Sequence, residues 1–320
     1  MRFDALLSST FLLFVLFSTF VGVAESQLNP SGQALGIVEI SSLQHQAERG
    51  NPEAEYQLGW HYLTGRGISQ DFNQAAKWFK LAAYAGSADG QFGLGFLYEQ
   101  GMGVVRDYRR AWELYTAAAK QGQSIAENNL GSMYQRGEGI ERDATAAAHW
   151  YRAAAEHGNV TAQCNLASLY FRGKGVGLDY SQAATWFRAA AQQGFAPAQE
   201  NLAFFYYTGK GVPLDYAETA KWTRRAAEQG LLSAELDLAY LYEQGKGVPL
   251  DYIAAYAWYK AAADRGEKRA HARLKSLSTV MSREQIKRAS AAAGQLRIPV
   301  SPENEDSSSE IVGKAFAERR

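Results

Sequence analysis

Apolar and small residues recur along this chain at helical spacing. In one early stretch Ala54, Leu58 and Tyr62 lie four residues apart, and in the next Ala75, Trp78 and Ala82 are separated by three and four. An α-helix has 3.6 residues per turn, so each set forms one face of a helix. The pattern predicts a pair of helices, each with one face of small and large apolar residues that packs against its neighbour.

The helix pair is repeated six times with a constant step of 36 residues. Glycine, tyrosine and aspartate each recur at this step, and so does tryptophan, with Leu114 in one of its places. A period of about 20–50 residues indicates stacked repeats, because one unit cannot bury its apolar face alone. The sequence therefore predicts an all-α solenoid of antiparallel helix hairpins. The recurring residues are Gly50, Gly86, Gly122, Gly158, Gly194, Gly230 and Gly266; Tyr62, Tyr98, Tyr134, Tyr170, Tyr206 and Tyr242; Asp71, Asp107, Asp143, Asp179, Asp215 and Asp251; and Trp78, Trp150, Trp186, Trp222 and Trp258.

The joint between the two helices of a repeat has its own pattern, first written as Gly65-x-Gly67-Ile68 and followed by Asp71. Glycine just beyond a helix suits a left-handed C-terminal cap. Aspartate before the next apolar face suits an N-cap. The joint is therefore predicted to end the first helix at the first glycine and to start the second at the aspartate.

The remaining segments are predicted to be entry, exit and caps. Arg2, an apolar run over 12–23 and small residues after it are typical of a secretory signal peptide, which we place at 1–26. The predicted order continues with a linker at 27–36, an N-terminal capping helix at 37–49, the six repeats at 50–265, C-terminal capping helices at 266–297 and a disordered tail at 298–320. The protein is thus expected to be exported to the periplasm or the extracellular space. The alternative is an uncleaved leader that anchors it in the membrane.

Composition and motifs exclude several kinds of chemistry. Lysine plus arginine equals aspartate plus glutamate at 33 each, so there is no basic field for nucleic acid. Cys164 is the single cysteine, so no disulfide forms within the chain. The Gly-x-Gly joints lack the third glycine of a dinucleotide fingerprint, and the five histidines form no metal motif. We expect no catalytic residues, no cofactor and no metal site, and hence no enzyme.

One repeat, which starts at Gly158 and continues through Ala162, Leu166-Ala167, Tyr170, Gly173-Lys174-Gly175-Val176, Asp179-Tyr180, Ala183, Trp186 and Ala190-Ala191, resembles the Sel1-like repeat. This family is related to the tetratricopeptide repeat and has a longer joint. The resemblance implies a right-handed superhelix with a concave face lined by the first helices. It also implies a role as a scaffold or adaptor that binds protein partners, without catalysis. Some exported relatives pair cysteines within each repeat, which this chain cannot do.

A second stripe on the first helices points away from the packing face at 100° per residue, and its residues vary between repeats. It is aromatic near both ends, polar in the middle, and contains Arg136 and Arg172. Aromatic residues and arginine dominate binding hot spots. We therefore expect Trp60, Phe96, Phe204 and Tyr240 to anchor a peptide whose acidic group meets the two arginines. The full candidate set is Tyr56, Trp60, Phe92, Phe96, Asn128, Ser132, Arg136, Ser168, Arg172, Phe204, Tyr207 and Tyr240.

Three alternatives stay open at this stage. The aromatic residues of the stripe can instead pack on neighbouring helices, as aromatic residues on helices often do. The protein can be a structural spacer in an envelope assembly, with its contact on another face or on the tail. It can also be a module that binds or inhibits an enzyme, although the absence of insertions in the six repeats argues against a specialised loop.

Overall fold

The computed structural model describes residues 32–296, with side chains from residue 40 onward. These residues form helices and no strands. The helices are α1 (Gly32–Glu48), α2 (Pro52–Thr64), α3 (Phe72–Tyr84), α4 (Ala88–Gln100), α5 (Tyr108–Ala119), α6 (Ser124–Arg136), α7 (Ala144–Glu156), α8 (Val160–Arg172), α9 (Tyr180–Gln192), α10 (Ala196–Thr208), α11 (Tyr216–Glu228), α12 (Leu232–Gln244), α13 (Tyr252–Asp264), α14 (Lys268–Leu277) and α15 (Arg283–Gln295).

The chain divides into two compact units, unit 1 up to Ala162 and unit 2 from Gln163 onward. In unit 1, each helix from α1 to α6 packs against the next one. In unit 2, each helix from α9 to α13 packs against the next one, and α15 also packs on α13. The predicted hairpin pattern with its 36-residue period is therefore confirmed.

The predicted packing faces are confirmed as core. Ala54, Leu58, Ala75, Trp78 and Ala82 are all buried. Burial of one large apolar side chain contributes roughly 1.5–3 kcal/mol. The positions of Ala54, Leu58, Ala75 and Ala82 are buried in every repeat, whereas the position of Trp78 is half-buried in three of the six.

The joints adopt the predicted cap geometry. Gly65 lies in the left-handed region at φ 73°, and its N–H donates to the carbonyl oxygen of His61. The six recurring aspartates each accept a backbone N–H at the start of the second helix; Asp71, for example, accepts from Asn73 and Gln74. The second glycine of the joint lies against the preceding repeat. A Cβ on Gly247 would overlap the carbonyl oxygen of Tyr216, so no other residue fits there.

The ends differ from prediction in one respect. The expected linker at 27–36 is wrong over its second half, because α1 already begins at Gly32. The signal peptide and the tail lie outside the described residues. Within those residues, no helix is both long enough and apolar enough to cross a membrane. At the other end, Ser282 and Gln285 form a reciprocal capping box that starts α15.

Candidate partner-binding surface

The aromatic part of the predicted stripe in unit 1 is core and not surface. Tyr56, Phe92 and Phe96 are 6%, 0% and 1% exposed. Trp60 is half-buried, and its ring centroid lies 5.7 Å from that of Phe79 and 6.2 Å from that of Phe96. The rings therefore pack edge to face or tilted on one another. The expectation that these rings stand free for a peptide is corrected for all but part of Trp60. These rings instead pack on neighbouring helices, which is the first of the three alternatives left open by the sequence.

The polar part of the stripe in unit 1 is also occupied by the chain itself. Asn128 is buried, and Ser132 is half-buried. The side chain of Arg136 is 43% exposed, but it donates to Glu138 at 2.8 Å and to the buried Glu99 at 3.4 Å. Its guanidinium is thus paired with two carboxylates, and an acidic ligand would have to compete with both.

In unit 2 two lysines from the joints cover the stripe. The Nζ atom of Lys210 lies 5.2 Å from the ring centroid of Tyr180 and 5.7 Å from that of Phe204. One repeat later, Lys246 lies 5.6 Å from the ring of Tyr240 and donates to the hydroxyl of Tyr207 at 3.0 Å. These are cation–π contacts. Each joint folds back over the preceding repeat, so the stripe is already occupied where the prediction expected a ligand.

The other predicted residues of unit 2 fall into two classes. Phe204 and Tyr240 are buried, at 3% and 9% exposure. Ser168 and Tyr207 are half-buried, and Arg172 is exposed. Of the twelve predicted residues, only Arg136 and Arg172 are exposed, with Trp60 and the half-buried polar groups at the margin. A projection of one isolated helix could not show that the next joint covers it.

Paired residues 16 positions apart, one on each helix of a hairpin, form a feature that sequence reasoning missed. The hydroxyl of Tyr115 donates to Glu99 at 2.6 Å, that of Tyr151 to Gln135 at 3.0 Å, and that of Tyr259 to Glu243 at 2.8 Å. Where the tyrosine is replaced by phenylalanine, its partner is apolar, as in Leu63 with Phe79 and Phe171 with Phe187. The covariation between repeats was readable in the sequence. The covariation indicates that Glu99 and Glu243 have a structural role, because a buried tyrosine hydroxyl needs a hydrogen-bond partner.

Burial raises the pKa of several groups without assembling a reactive site. Burial raises the pKa of Glu200 to about 7, offset in part by Ser233 and Arg269, and neither carboxylate oxygen makes a hydrogen bond of ordinary geometry. Burial also raises the pKa of the Cys164 thiol, which makes it a poor nucleophile. Among residues 40–296, no cluster of histidine, cysteine and acidic side chains could hold a metal ion.

An exposed apolar row lies at one joint position of unit 2. Leu178, Leu214 and Leu250 occur 36 residues apart and are 60%, 55% and 58% exposed. We call them the joint leucines. The residues at the same position of unit 1 are polar: Gln70, Arg106 and Arg142. The loop geometry is the same in both units, since a Cβ on Gly65 would lie 3.3 Å from the Cβ of Gln70 and one on Gly209 would lie 3.2 Å from that of Leu214.

The joint leucines lack a hydrogen bond that two of the three equivalent residues of unit 1 make. The side-chain amide of Gln70 donates to the carbonyl oxygen of Leu63 at 2.8 Å, and the guanidinium of Arg106 donates to that of Gln100 at 3.2 Å. Both acceptors belong to the last turn of a first helix, whose carbonyls lack partners within the helix. A leucine cannot donate, and at this position it buries less than half of its surface. The variable positions of the joint could have revealed the row in the sequence.

Comparison with known protein families divides the chain where the first helix of each repeat begins. The family model of the Sel1 repeat matches residues 52–87, 88–123, 124–159, 160–195, 196–231 and 232–267. A protective antigen present in uropathogenic Escherichia coli strains is 32% identical with a TM-score of 0.73, and the match covers 80% of this chain and 56% of that protein. A Sel1 repeat protein from Oxalobacter formigenes is 29% identical with a TM-score of 0.59, and the match covers 72% of this chain and 96% of that one.

The match spans little more than half of the E. coli protein. It therefore shows a shared repeat architecture and says nothing of the activity of the whole antigen. No curated protein matches this chain. Proteins built from Sel1 repeats are generally scaffolds for protein interaction and typically not enzymes. With six consecutive matches over most of its described length, this chain belongs to the Sel1-repeat family.

Proposed function

We propose that this protein is an exported scaffold that binds a protein partner through the joint leucines of unit 2. The observation that carries the proposal is the row itself. Three successive repeats expose leucine at one position, each more than half exposed. Singly exposed leucines are common, whereas a repeated set at one edge offers apolar surface at regular spacing to a partner.

The cost of these leucines supports a contact outside the chain. At the same position, Gln70 and Arg106 donate to last-turn carbonyls, and such a bond contributes about 0.5–1.5 kcal/mol. Leucine loses that contribution and leaves apolar surface in water. A partner that covers the row would recover apolar burial at roughly 25 cal/mol per Å².

The chemistry of the partner follows from the composition of the joints. Each joint leucine is followed by an N-cap aspartate, and each lies four residues after a lysine, as in Lys174-Gly175-Val176-Gly177-Leu178-Asp179. The row is therefore apolar with charges of both signs at its border. A protein surface with apolar side chains at regular spacing fits it, and nucleic acid does not.

The test is affinity capture from the native organism with the triple variant Leu178→Gln, Leu214→Gln and Leu250→Gln. The chain supplies its own matched control, Gln70→Ser, Arg106→Ser and Arg142→Ser, at the equivalent positions of unit 1. The proposal expects one identified partner to be held by the parent and by the control, and lost by the leucine variant. Retention by all three would refute it and leave the protein as a spacer with contacts elsewhere.

The predicted stripe remains a second, weaker proposal, reduced to its accessible members Trp60, Arg136 and Arg172. Its test is the same capture with Arg136→Glu and Arg172→Glu. Loss of the partner in this variant alone would favour the first-helix face over the joint edge.

Export remains a proposal from the leader sequence. If the signal peptide is cleaved as expected, the mature protein begins near residue 27. Mass spectrometry of the intact protein from cell fractions would detect this. A full-length chain in the membrane fraction would support the anchored alternative, and a full-length chain in the cytosol would refute both.

A further inference from the structure

A ladder of polar side chains links the two helices of five repeats. A residue in the first turn of the first helix bonds the residue 30 positions later, at the end of the second helix. We call this the turn ladder. Its pairs are Gln91 with Gln121 at 2.9 Å, Glu127 with His157 at 2.8 Å, Gln163 with Gln193 at 3.0 Å, Gln199 with Gln229 at 2.8 Å, and Glu235 with Arg265.

The ladder also reaches the preceding repeat. The side chain of Gln121 donates to the carbonyl oxygen of Gly86, and the guanidinium of Arg265 donates to that of Gly230. In both pairs one side chain therefore bonds an acceptor in the first helix, half-buried at Gln91 and fully buried at Glu235, and also the carboxyl end of the preceding helix. Helix C-termini favour positive charge and donors. The position suits a side chain with several N–H groups.

In the first repeat the donor at the end of the second helix is missing. The equivalent pair is Glu55 with Ala85, and alanine has no donor. Glu55 is 5% exposed, and its Oε2 atom is buried without a hydrogen-bond partner among the described residues. Burial raises the pKa of this carboxyl, and no neighbouring charge lowers it. A buried carboxylate without a partner costs free energy and is rare.

The surface beside Glu55 also differs from that of the other repeats. Leu81 and Tyr84, on the last turn of α3, are 40% and 76% exposed. At the position of Tyr84 the other five repeats have Lys120, Glu156, Gln192, Glu228 and Asp264. Only the first repeat thus combines an unpaired buried acid, a missing donor and exposed apolar side chains.

We propose that the end of α3 is a binding site for an arginine side chain of a protein partner, with the guanidinium on Glu55 and the carbonyl of Gly50, and with apolar contact to Leu81 and Tyr84. Arg265 shows the geometry within the same chain, because it makes the equivalent two contacts at Glu235 and Gly230. A guanidinium has five donors in a planar fork, so it can serve both acceptors together. The proposal concerns unit 1 and does not depend on the joint leucines.

The probe is acetyl-arginine amide, titrated into the full chain and followed through the backbone amide NMR signals of Gly50, Ala85 and Gly86. Neutral acetyl-citrulline amide is the matched ligand control. We expect saturable shifts with arginine and at least about tenfold weaker binding of citrulline, as for loss of a charge-assisted hydrogen bond. Glu55→Gln should weaken arginine binding by a similar factor.

The decisive variant is Ala85→Arg, which supplies the guanidinium from within the chain as Arg265 does. It should abolish the response to acetyl-arginine amide and raise the unfolding midpoint of unit 1. Equal responses to arginine and citrulline, or an unchanged response in Ala85→Arg, would overturn the proposal. So would a Glu55 carboxyl that titrates at or below its ordinary pKa before any probe is added, because another group would then already hold the site. Gln121→Ala, which removes the ladder donor of the neutral pair in the second repeat, should create no comparable arginine site.

Discussion

Units 1 and 2 have the same repeat geometry but present different side chains at the same joint position. The glycine caps, aspartate N-caps and packing residues recur in both. In unit 1 the residue five after the capping glycine is Gln70, Arg106 or Arg142, and in unit 2 it is one of the three joint leucines. The capping turn is held by backbone geometry in both cases, so this side chain is free to differ. The comparison shows where the repeat can change its surface without changing its fold.

Glycine at the second joint position is the requirement that the units share most strictly. In Gly103→Ala and Gly247→Ala, the new Cβ would overlap the backbone of Phe72 or Tyr216 in a left-handed conformation. We expect each to lower the free energy of unfolding by about 3 kcal/mol or more, from strain and overpacking together. Urea unfolding would measure it. Gly86→Ala is the control, because nothing lies within 4 Å of its Cβ and only the backbone strain of about 1 kcal/mol applies. Equal losses in all three would contradict the shared packing contact.

The buried acid Glu200 in unit 2 predicts a pH dependence that the neutral Asn128, its equivalent in unit 1, does not share. Burial raises the pKa of Glu200 to about 7 in the folded state. The folded state then holds a proton that the unfolded state releases, so stability falls as pH rises from about 4.5 to about 7 and levels off above it. The loss should be roughly 3 kcal/mol, because the pKa rises from 4.5 to about 7.

Glu200→Gln should remove this loss, so the variant should exceed the parent in stability above pH 7. Thermal unfolding at several pH values would show it, with the exposed Glu228→Gln as control. An unchanged pH profile in Glu200→Gln would mean that the carboxyl is paired or hydrated.

The 16-residue pairs should respond alike in the two units. Tyr115→Phe leaves Glu99 without its hydroxyl donor, and Tyr259→Phe does the same to Glu243. Each should cost about 1 kcal/mol, the net contribution of one hydrogen bond, because Glu99 keeps Arg136 and Glu243 keeps Arg273. The double variant Glu99→Leu and Tyr115→Phe recreates the pair of Leu63 and Phe79 and should recover most of the loss. A double variant no more stable than the single one would show that the apolar pair does not transfer between repeats.

The joint leucines should show the smallest stability effect and with the opposite sign. Leu214→Gln provides the amide that Gln70 uses on its helix carbonyl, so we expect a gain of up to about 1 kcal/mol. The reciprocal change Gln70→Leu in unit 1 should lose a similar amount. Urea unfolding of both variants is the measurement. A clear loss on Leu214→Gln would mean that the leucine is part of the core, which would remove the reason for a partner at this edge.

Much of the fold could be predicted from the sequence because it depends on local and periodic signals. The 36-residue step gave the hairpins, and glycine and aspartate gave the caps at Gly65 and Asp71. The predicted stripe failed because one helix, projected alone, does not show what covers it. In unit 2 the joint lysines Lys210 and Lys246 fold back over rings six residues earlier, and in unit 1 Trp60 packs on rings of other helices. The missing donor opposite Glu55 could not be predicted either, because Ala85 stands out only once the hydrogen-bonded pairs of the other five repeats are known.

The central claim is that the partner contacts the joint edge of unit 2 and not that of unit 1. The most direct measurement is photo-crosslinking in the native organism, with benzoylphenylalanine at position 214 in one variant and at position 106 in the other. Both positions are exposed and lie at the same point of their joints. We predict a single crosslinked partner from position 214 that is absent from position 106. Equal yields of the same partner at both positions, or a partner at position 106 alone, would contradict the account.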